Sequence, residues 1–339
     1  MQNRGVMKVL VYIPCHSDFE MALNQVKKVR TSFDKFKNKP NGRNIIIEII
    51  VSVNAYTPTV TEKELAEKIC DKIIYNGTGY MADINIANGY LIALNQKPDI
   101  LWLLSTNDNL VENVIENILN EFVEDHSIDL LVTSLCLNKT FTEKQIIDPG
   151  RTGFSYGLIS GVVYRLERLF PYLHNGPYMA WTGWSQLAVI QSAMDGLNGL
   201  KVKAIPFELV YQQRERDLSA AGKYYAHSVY GMLILGSTLK SSNYAARKFI
   251  RKYVLSNFYA WHLFSREWKY SGKLIGSDNY LAWNQKIAES LIWKSSPFTF
   301  IFYKLAKLIP FEKFSQVKLI VLVKRKFDKI LGQSKHYKS

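Results

Sequence analysis

The sequence predicts an α/β protein: a mostly parallel central sheet with helices on both faces, followed by a helical region rich in basic and aromatic residues. Aliphatic and β-branched runs alternate with helical segments up to about residue 137, the pattern of a parallel sheet. The 339-residue chain is 47% hydrophobic, so it can bury a large core and is not a disordered protein. We expect a first domain over 1–220 and a helical C-terminal region over 221–339.

Each predicted strand rests on an apolar run, and each predicted helix on the periodicity of its apolar residues. The run at 44–54 is long enough for a buried strand, and the helix over 61–70 has Leu65 and Ile69 four residues apart. In chain order the expected elements are a strand over 7–14, a helix with Met21, Val26 and Val29 on one side, strand 44–54, helix 61–70, strand 72–76, helix 84–96, strand 99–105, helix 111–124 and strand 129–137.

Two of these helices have a candidate N-cap. Thr61 and Glu64 have the spacing of a capping box for the helix over 61–70. Asp83 directly precedes the helix over 84–96, where it can cap the first turn or contact a ligand. Both uses stay open for Asp83.

Polar side chains follow four consecutive predicted strands. Because ligands of parallel sheets bind beyond the carboxyl ends of the strands, we expect these side chains to converge on one crevice. The residues are Pro14, His16 and Asp18 around the end of the first strand, Asn54 at the end of the second, Asp83 after the third, and Asn107, Asp108 and Asn109 after the fourth.

These segments resemble the family-2 glycosyltransferases with a GT-A fold. The closest likeness is to the subgroup that builds bacterial surface polysaccharides, including the abequosyltransferase-like enzymes. The likeness covers about residues 7–215, and it implies transfer of a sugar from a nucleotide-sugar donor. It is carried by VLVYIPCHSDFEMA, IIVSVNAYT, YNGTGYMADINIANGYLIAL and ILWLLSTNDNL, with GLISGVVYRL as a weaker match.

The resemblance also implies a donor site and a metal. The family's Asp-x-Asp element corresponds to residues 106–108, where only Asp108 is a carboxylate. A divalent cation, Mg²⁺ or Mn²⁺, is expected on Asp108 and Asn109, with the donor's phosphates completing its ligands. The residues implied in binding the donor nucleotide are Pro14, His16, Asp18, Asn54, Asp83 and Asn107.

The acceptor hydroxyl needs a base, and the family's usual source is missing. Many relatives supply a Glu-Asp pair at the start of a helix beyond the acceptor loop, but residues 182–186 contain no acid. Asp148 and His174 are the candidate bases, and each also fits a turn or a surface loop. Trp181 and Trp184 are predicted to form an apolar platform for a sugar ring, with core packing as the alternative.

The net charge of +14 belongs entirely to the end of the chain. Residues 241–339 hold 19 Lys and Arg against 5 Asp and Glu, and 20 of the 44 aromatic residues, whereas the first 240 residues hold 24 charges of each sign. Segments within about 297–330 therefore predict a helix lying on an anionic membrane surface. An amphipathic helix packed on the protein is the alternative. The predicted apolar stripe is Phe298, Ile301, Phe302, Leu305, Leu308 and Ile309.

Several other functions lack their sequence patterns. The sequence contains no run of about 18 apolar residues, so it predicts no membrane-spanning helix. Its first apolar run is short for a signal peptide. Three widely spaced cysteines favour a reduced, cytosolic protein. Basic and aromatic residues together also suit nucleic-acid binding, but no nucleic-acid module accompanies them, so we expect no nucleic-acid partner. Zinc-hydrolase, P-loop and Gly-x-Ser-x-Gly motifs are absent from the sequence.

The sequence therefore predicts a glycosyltransferase held on the cytoplasmic face of the cell membrane. Its acceptor would be a saccharide linked to polyprenyl diphosphate. A binding or scaffold protein on a degenerate transferase fold is the alternative, since acids of the family are missing. A nucleotidyltransferase would need a loop rich in Gly and Lys or Arg after the first strand, which residues 13–18 do not provide.

Overall fold

An eight-stranded sheet organises the first part of the chain in this computed structural model. The structure describes residues 6–15, 19–54, 56–76, 82–134, 138–143, 156–157, 159–212, 225–237, 243–256 and 277–308. The chain divides into two compact units, Met1–Arg216 and Asp217–Ser339. The sheet lies in the first unit, and helices make up the described part of the second.

Six of the eight strands run parallel, which confirms the predicted fold class. The order across the sheet is β3-β2-β1-β4-β7-β5-β8-β6, and only β7 and β6 are antiparallel to their neighbours. The strands are β1 (Met7–Cys15), β2 (Ile45–Asn54), β3 (Lys72–Asn76), β4 (Ile100–Leu103), β5 (Leu130–Ser134), β6 (Lys139–Glu143), β7 (Val162–Arg165) and β8 (Leu200–Pro206). The chain leaves β1 toward β2 and later returns to β4, so β1 and β4 flank the switch point where such sheets bind ligands.

The helices of the first unit cover both faces of the sheet. Val11 and Ile13 of β1 belong to the core under α1 and α4, while Tyr12 turns to the opposite face and contacts α3. Gly89 lets α3 lie close, because a Cβ there would be 2.6 Å from Leu103 Cδ2 and 2.7 Å from the Tyr12 ring. The helices are α1 (Phe19–Lys37), α2 (Val60–Ile69), α3 (Ala82–Gln96), α4 (Val114–Glu124), α5 (Leu166–Leu169), α6 (Asn175–Tyr178) and α7 (Ser185–Leu197).

The described part of the second unit contains α8 (Tyr225–Ser237), α9 (Asn243–Ser256), α10 (Ser277–Ser295) and α11 (Pro297–Leu308). A buried polar cluster joins three of them: the Tyr303 hydroxyl donates to Glu289 at 3.1 Å and lies 3.2 Å from the Tyr230 hydroxyl. Lys304 forms an ion pair with the same carboxylate at 2.8 Å. Within the described residues, no helix is both long and apolar enough to cross a bilayer.

The predicted strands and helices up to residue 134 are all present, with shifted ends. The strand predicted over 129–137 is seen as β5, and its last three residues lie outside the described part. The helix predicted over 111–124 begins only at Val114. Neither β6 nor β8 was predicted from the sequence. Phe141 is the one apolar residue of β6, and most of the strand is exposed, so β6 depends on pairing with β8 rather than on its own hydrophobicity.

Both predicted N-caps are wrong in detail. The capping box uses Thr59 and Glu62, two residues before the predicted pair, and α2 begins at Val60. The Tyr56 hydroxyl donates to the Glu62 carboxylate at 3.0 Å, which favours this register over the one with Thr61 and Glu64. Asp83 is inside the first turn of α3, since that helix begins at Ala82.

The corrected cap predicts different effects for two neighbouring threonines. Thr59→Ala removes the acceptor for the Glu62 backbone N–H and is expected to lower the free energy of unfolding by about 1 kcal/mol. Thr61→Ala, at an exposed position inside α2, should leave stability unchanged or raise it slightly. Urea unfolding of both variants measures the difference. A larger loss in Thr61→Ala would restore the sequence-predicted cap.

Candidate functional site

The buried side chain of Asn85, on the first turns of α3, ties together the carboxyl ends of β1 and β2. Its amide nitrogen donates to the carbonyl of Cys15 at 3.2 Å and to the carbonyl of Ser52 at 3.0 Å. Its amide oxygen accepts from the hydroxyls of Tyr12 at 3.0 Å and Ser52 at 2.7 Å. Asn85 is 2% exposed, so these bonds replace water entirely.

The same network reaches β3. Asn76, the last residue of β3, donates to the Ser52 hydroxyl at 2.9 Å. Burial raises the pKa of Tyr12, with a hydrogen bond to Ser52 opposing the shift, so the phenol stays protonated and able to donate. Asn54 lies beside Asn76 in register and is fully buried at the end of β2. Three strand ends and the start of α3 are therefore fixed relative to one another.

The segment after β4, residues 105–109, is held from three sides; we refer to it as the Asp108 loop. Gln25 of α1 donates through its amide nitrogen to the carbonyls of Thr106, at 3.2 Å, and of Asp108. The Ser105 N–H donates to the Ser160 hydroxyl at 2.7 Å, just before β7. The loop is thereby a fixed element of the scaffold.

The third support of the Asp108 loop comes from the segment after β8. The Gln212 N–H donates to the Asn109 carbonyl at 2.6 Å, and the Asn109 amide donates to the Gln212 side chain at 3.0 Å. Leu110 and Tyr211 form a β-bridge directly beside these bonds. Distant parts of the sequence thus converge on this loop.

Most of the predicted donor residues lie at one edge of the sheet. Pro14 is near the end of β1, and Asn54 ends β2. Asp83 lies half-buried at the start of α3, and Asn107 is exposed in the Asp108 loop. The parallel strands place these residues at their common carboxyl edge, as predicted. His16 and Asp18 lie outside the described residues.

The predicted metal donors comprise one carboxylate and one engaged carboxamide. Asp108 is partly exposed, while the Asn109 side-chain oxygen accepts a hydrogen bond from the Lys28 ammonium. Within the described ranges, no three His, Cys, Asp or Glu side chains cluster as a metal site. This donor set fits a divalent cation held chiefly by oxygens of a ligand, such as the phosphates of a nucleotide, with Asp108 as the protein's carboxylate.

The two predicted platform tryptophans lie just before α7, and both are partly exposed. Trp184 packs against Gly157, where a Cβ would come within 3.0 Å of the indole ring. Gln186, on the first turn of α7, donates to the Gly157 carbonyl at 2.9 Å. Trp181 donates through its indole nitrogen to the Tyr178 carbonyl at 2.9 Å.

The structure describes one of the two candidate bases, His174. His174 is exposed beside α6, and its ring packs edge-on against Tyr178 with centroids 5.7 Å apart. Asp148 lies outside the described residues.

Comparisons with known proteins find similarity only among solved structures. No family model and no curated protein matches the sequence. One similar structure is TarS 1–349 from S. aureus. It has 14% identity and a TM-score of 0.49, over 98% of this chain and 93% of that chain, and it has also been solved in complex with UDP-GlcNAc.

A second similar structure is the mannosyltransferase PcManGT from Pyrobaculum calidifontis, in complex with GDP-Man and Mn²⁺. It has 10% identity and a TM-score of 0.48, over 88% of this chain and 86% of that chain. Similarity at this level concerns the general course of the chain and assigns no substrate or site residue to it.

Sequence reasoning missed the residues that hold the site together. Asn85 and Gln25 are buried polar residues on helices, and their partners lie 33 to 83 positions away in the chain. Lys28 was likewise missed, because a lysine on α1 has the ordinary pattern of a solvated helix face. The one signal for Gln25 was a polar residue between apolar Val26 and Leu23 in an amphipathic helix.

Asn85→Ala tests the role of the buried network. Loss of the amide leaves the carbonyls of Cys15 and Ser52 without their donor, so we expect the free energy of unfolding to fall by about 3 kcal/mol. Nucleotide binding should fall as well, since the strand ends lose their common anchor. Chemical denaturation and calorimetric titration with a nucleotide measure the two effects. Asn88→Ala, one turn further along α3, is the control; equal losses in both variants would contradict this role.

Proposed function

We propose that the protein is a glycosyltransferase that takes a sugar from a nucleotide-sugar donor bound at the carboxyl edge of the sheet. The observation that supports this most is the convergence of polar strand ends beside a rigid loop carrying Asp108, at the switch point between β1 and β4. Pro14, Asn54, Asp83 and Asn107 lie at this edge and are candidate contacts for the nucleotide. His16 and Asp18, which lie outside the described residues, stay candidates from the sequence.

The reaction breaks the bond between the anomeric carbon and the phosphate oxygen and forms a new bond from that carbon to an acceptor hydroxyl. A bound Mg²⁺ or Mn²⁺ would neutralise charge on the departing diphosphate, with Asp108 as a protein ligand and Asn109 beside it. Asp108 is thus assigned to the leaving-group side, and Trp181 and Trp184 to the sugar rings. The hydroxyl proton passes to a base, for which Asp148 and His174 are the candidates.

Donor binding is tested by thermal shift with UDP-, GDP-, CDP- and dTDP-sugars, with and without Mn²⁺. A ligand at 100 times its Kd stabilises the folded protein by about 2.7 kcal/mol, so a true donor raises the Tm, and more so with the cation. Asp108→Ala should lower sugar transfer on the order of 100-fold or more. Asp34→Ala, an exposed acid on α1, is the matched control.

The outcomes separate the two predicted functions. Transfer that is lost in Asp108→Ala and kept in Asp34→Ala supports the enzyme. Donor binding without any transfer favours the binding or scaffold protein on a degenerate transferase fold. Failure of every nucleotide-sugar to raise the Tm would sink the proposal.

We further propose that the acceptor is a lipid-linked saccharide and that the second unit holds the protein on the cytoplasmic face of an anionic membrane. The supporting observation is α11, whose Phe298, Ile301 and Leu305 form one outward stripe and are 77%, 54% and 55% exposed. Tyr303, on the opposite side of α11, is 1% exposed and packs inward. A packed amphipathic helix would instead cover its apolar stripe.

Basic residues of the second unit also support the membrane proposal. Lys294 is exposed near the end of α10, whereas Lys304, exposed beside the stripe, is already paired with Glu289 and adds no net charge. Each basic residue near an anionic surface contributes about 1 kcal/mol, and an apolar stripe inserted below the headgroups adds its burial energy. Trp293, 51% exposed, stands close to α11 through its edge-to-face contact with Phe300.

Replacing Phe298, Ile301 and Leu305 together by Ser should release the protein from vesicles containing phosphatidylglycerol. Co-sedimentation with these vesicles, and with pure phosphatidylcholine vesicles, measures the release. The expected change is a loss on the order of 1,000-fold or more in partition coefficient, because roughly 1.5–3 kcal/mol is lost for each of the three apolar side chains that the membrane buries.

The control replaces three equally exposed apolar residues of the first unit, Ile46, Val60 and Leu91, by Ser. This variant should bind vesicles as the unaltered chain does. Equal binding by both triple variants would contradict the role of α11.

A further inference from the structure

A small pocket lies between α1 and the Asp108 loop, on the side of the loop that faces α1. Its volume is about 250 Å³. α1 contributes Asn24, Gln25 and Lys28 to its wall, and the loop contributes Asp108 and Asn109. None of Pro14, Asn54 or Asp83 lines it. We refer to it as the α1 pocket.

Gln25 lines the pocket and has a buried, unsatisfied acceptor. The residue is 4% exposed, and its amide nitrogen is used by the carbonyls of Thr106 and Asp108. Its side-chain oxygen is buried and has no hydrogen-bond partner in the described part of the chain. This oxygen has almost no exposed surface, so a ligand O–H reaches it only when the Gln25 side chain shifts toward the pocket. Because a buried acceptor without a donor is unfavourable, that shift would recover a cost the protein already carries.

The charges of the wall oppose each other. The Lys28 ammonium donates to the Asn109 side chain and has two further N–H groups, while Asp108 adds an acidic residue to the same lining. A phosphate would be attracted by Lys28 and repelled by Asp108, whereas a free cation would be repelled by Lys28 and attracted by Asp108. A neutral ligand with several hydroxyls uses both groups, since each hydroxyl donates to a carboxylate or amide oxygen and accepts from an ammonium or amide N–H.

The size of the pocket favours one ring. Sites for ligands of drug size measure about 300–1,000 Å³, and a pocket at or below the lower limit suits a single small molecule rather than a nucleotide. Met21 adds a half-buried apolar side chain to the otherwise polar wall, which suits the C–H face of a pyranose.

We infer that the α1 pocket binds one neutral sugar unit of a saccharide. Lys28, Asn24 and the Gln25 oxygen are the groups that recognise its hydroxyls, and Asp108 accepts a further hydrogen bond from it. This binding needs neither a nucleotide nor a transfer reaction, so it goes beyond the proposed function and can be tested without it.

Ligand-observed NMR of the full chain with methyl glycosides of glucose, galactose, mannose and N-acetylglucosamine tests this inference. At least one glycoside is expected to bind, and Lys28→Met and Gln25→Met should each weaken it at least tenfold. Lys27→Met, the neighbouring exposed lysine of α1 outside the pocket wall, is the matched control and should bind fully. Asp83→Ala, at the carboxyl edge of the sheet, should bind fully as well.

Four outcomes overturn the inference. The first three are that no glycoside binds, that Lys28→Met binds glycosides as well as Lys27→Met does, and that Asp83→Ala loses the sugar. The fourth is that phosphate or Mn²⁺ binds more tightly than any glycoside and depends on Lys28 in the same way. Because Gln25 also holds the Asp108 loop, the Tm of each variant is measured in parallel. If Gln25→Met is unfolded, the result for Lys28→Met, which alters an exposed residue, decides the test. Failure of donor binding in the thermal-shift experiment leaves this test unaffected.

Discussion

The hydrogen bonds of the Asn85 side chain are the interaction on which the geometry of the candidate site depends. One carboxamide offers two donors and two acceptor positions, and all four are used by groups of β1 and β2. The side chain has no exposed surface through which water could replace a lost partner. A shift of α3 against the sheet would break several of these bonds together. The start of α3, where Asp83 lies, is therefore fixed relative to the ends of β1 and β2.

The Asp108 loop is built on the same principle from different elements. Gln25, Ser160 and Gln212 come from α1, from the turn before β7 and from the segment after β8, and each bonds to a backbone group of the loop. A loop with such supports loses little entropy when a ligand binds, because it is already ordered. Preorganisation of this kind makes a single carboxylate more effective than one on a free loop, where its position would have to be fixed by the ligand itself.

The sequence predicted the parallel sheet and its polar edge because both depend on local patterns. A long aliphatic and β-branched run such as 44–54 predicts a buried strand, and parallel strands bring their carboxyl ends to one edge. The N-cap of α2 was placed wrongly because Thr59 and Thr61 are both followed by Glu three residues later, and the contact of Tyr56 with Glu62 favours Thr59. Asn85, Gln25 and Lys28 escaped notice because their roles lie in partners far along the chain, which no local window contains.

Asp108 belongs both to the carboxyl edge of the sheet, where we assign the donor, and to the wall of the α1 pocket. Any free energy by which a ligand on one side of the loop alters binding on the other must act equally in both directions. The rigidity of the loop limits this coupling, since Gln25, Ser160 and Gln212 resist displacement of the backbone. Coupling would then pass mainly through the Asp108 carboxylate, which is assigned to both sites, and through the hydrogen bond between Lys28 and the neighbouring Asn109. A ligand on one side of the loop therefore changes binding on the other side through the electrostatic field of these groups rather than through movement of the backbone.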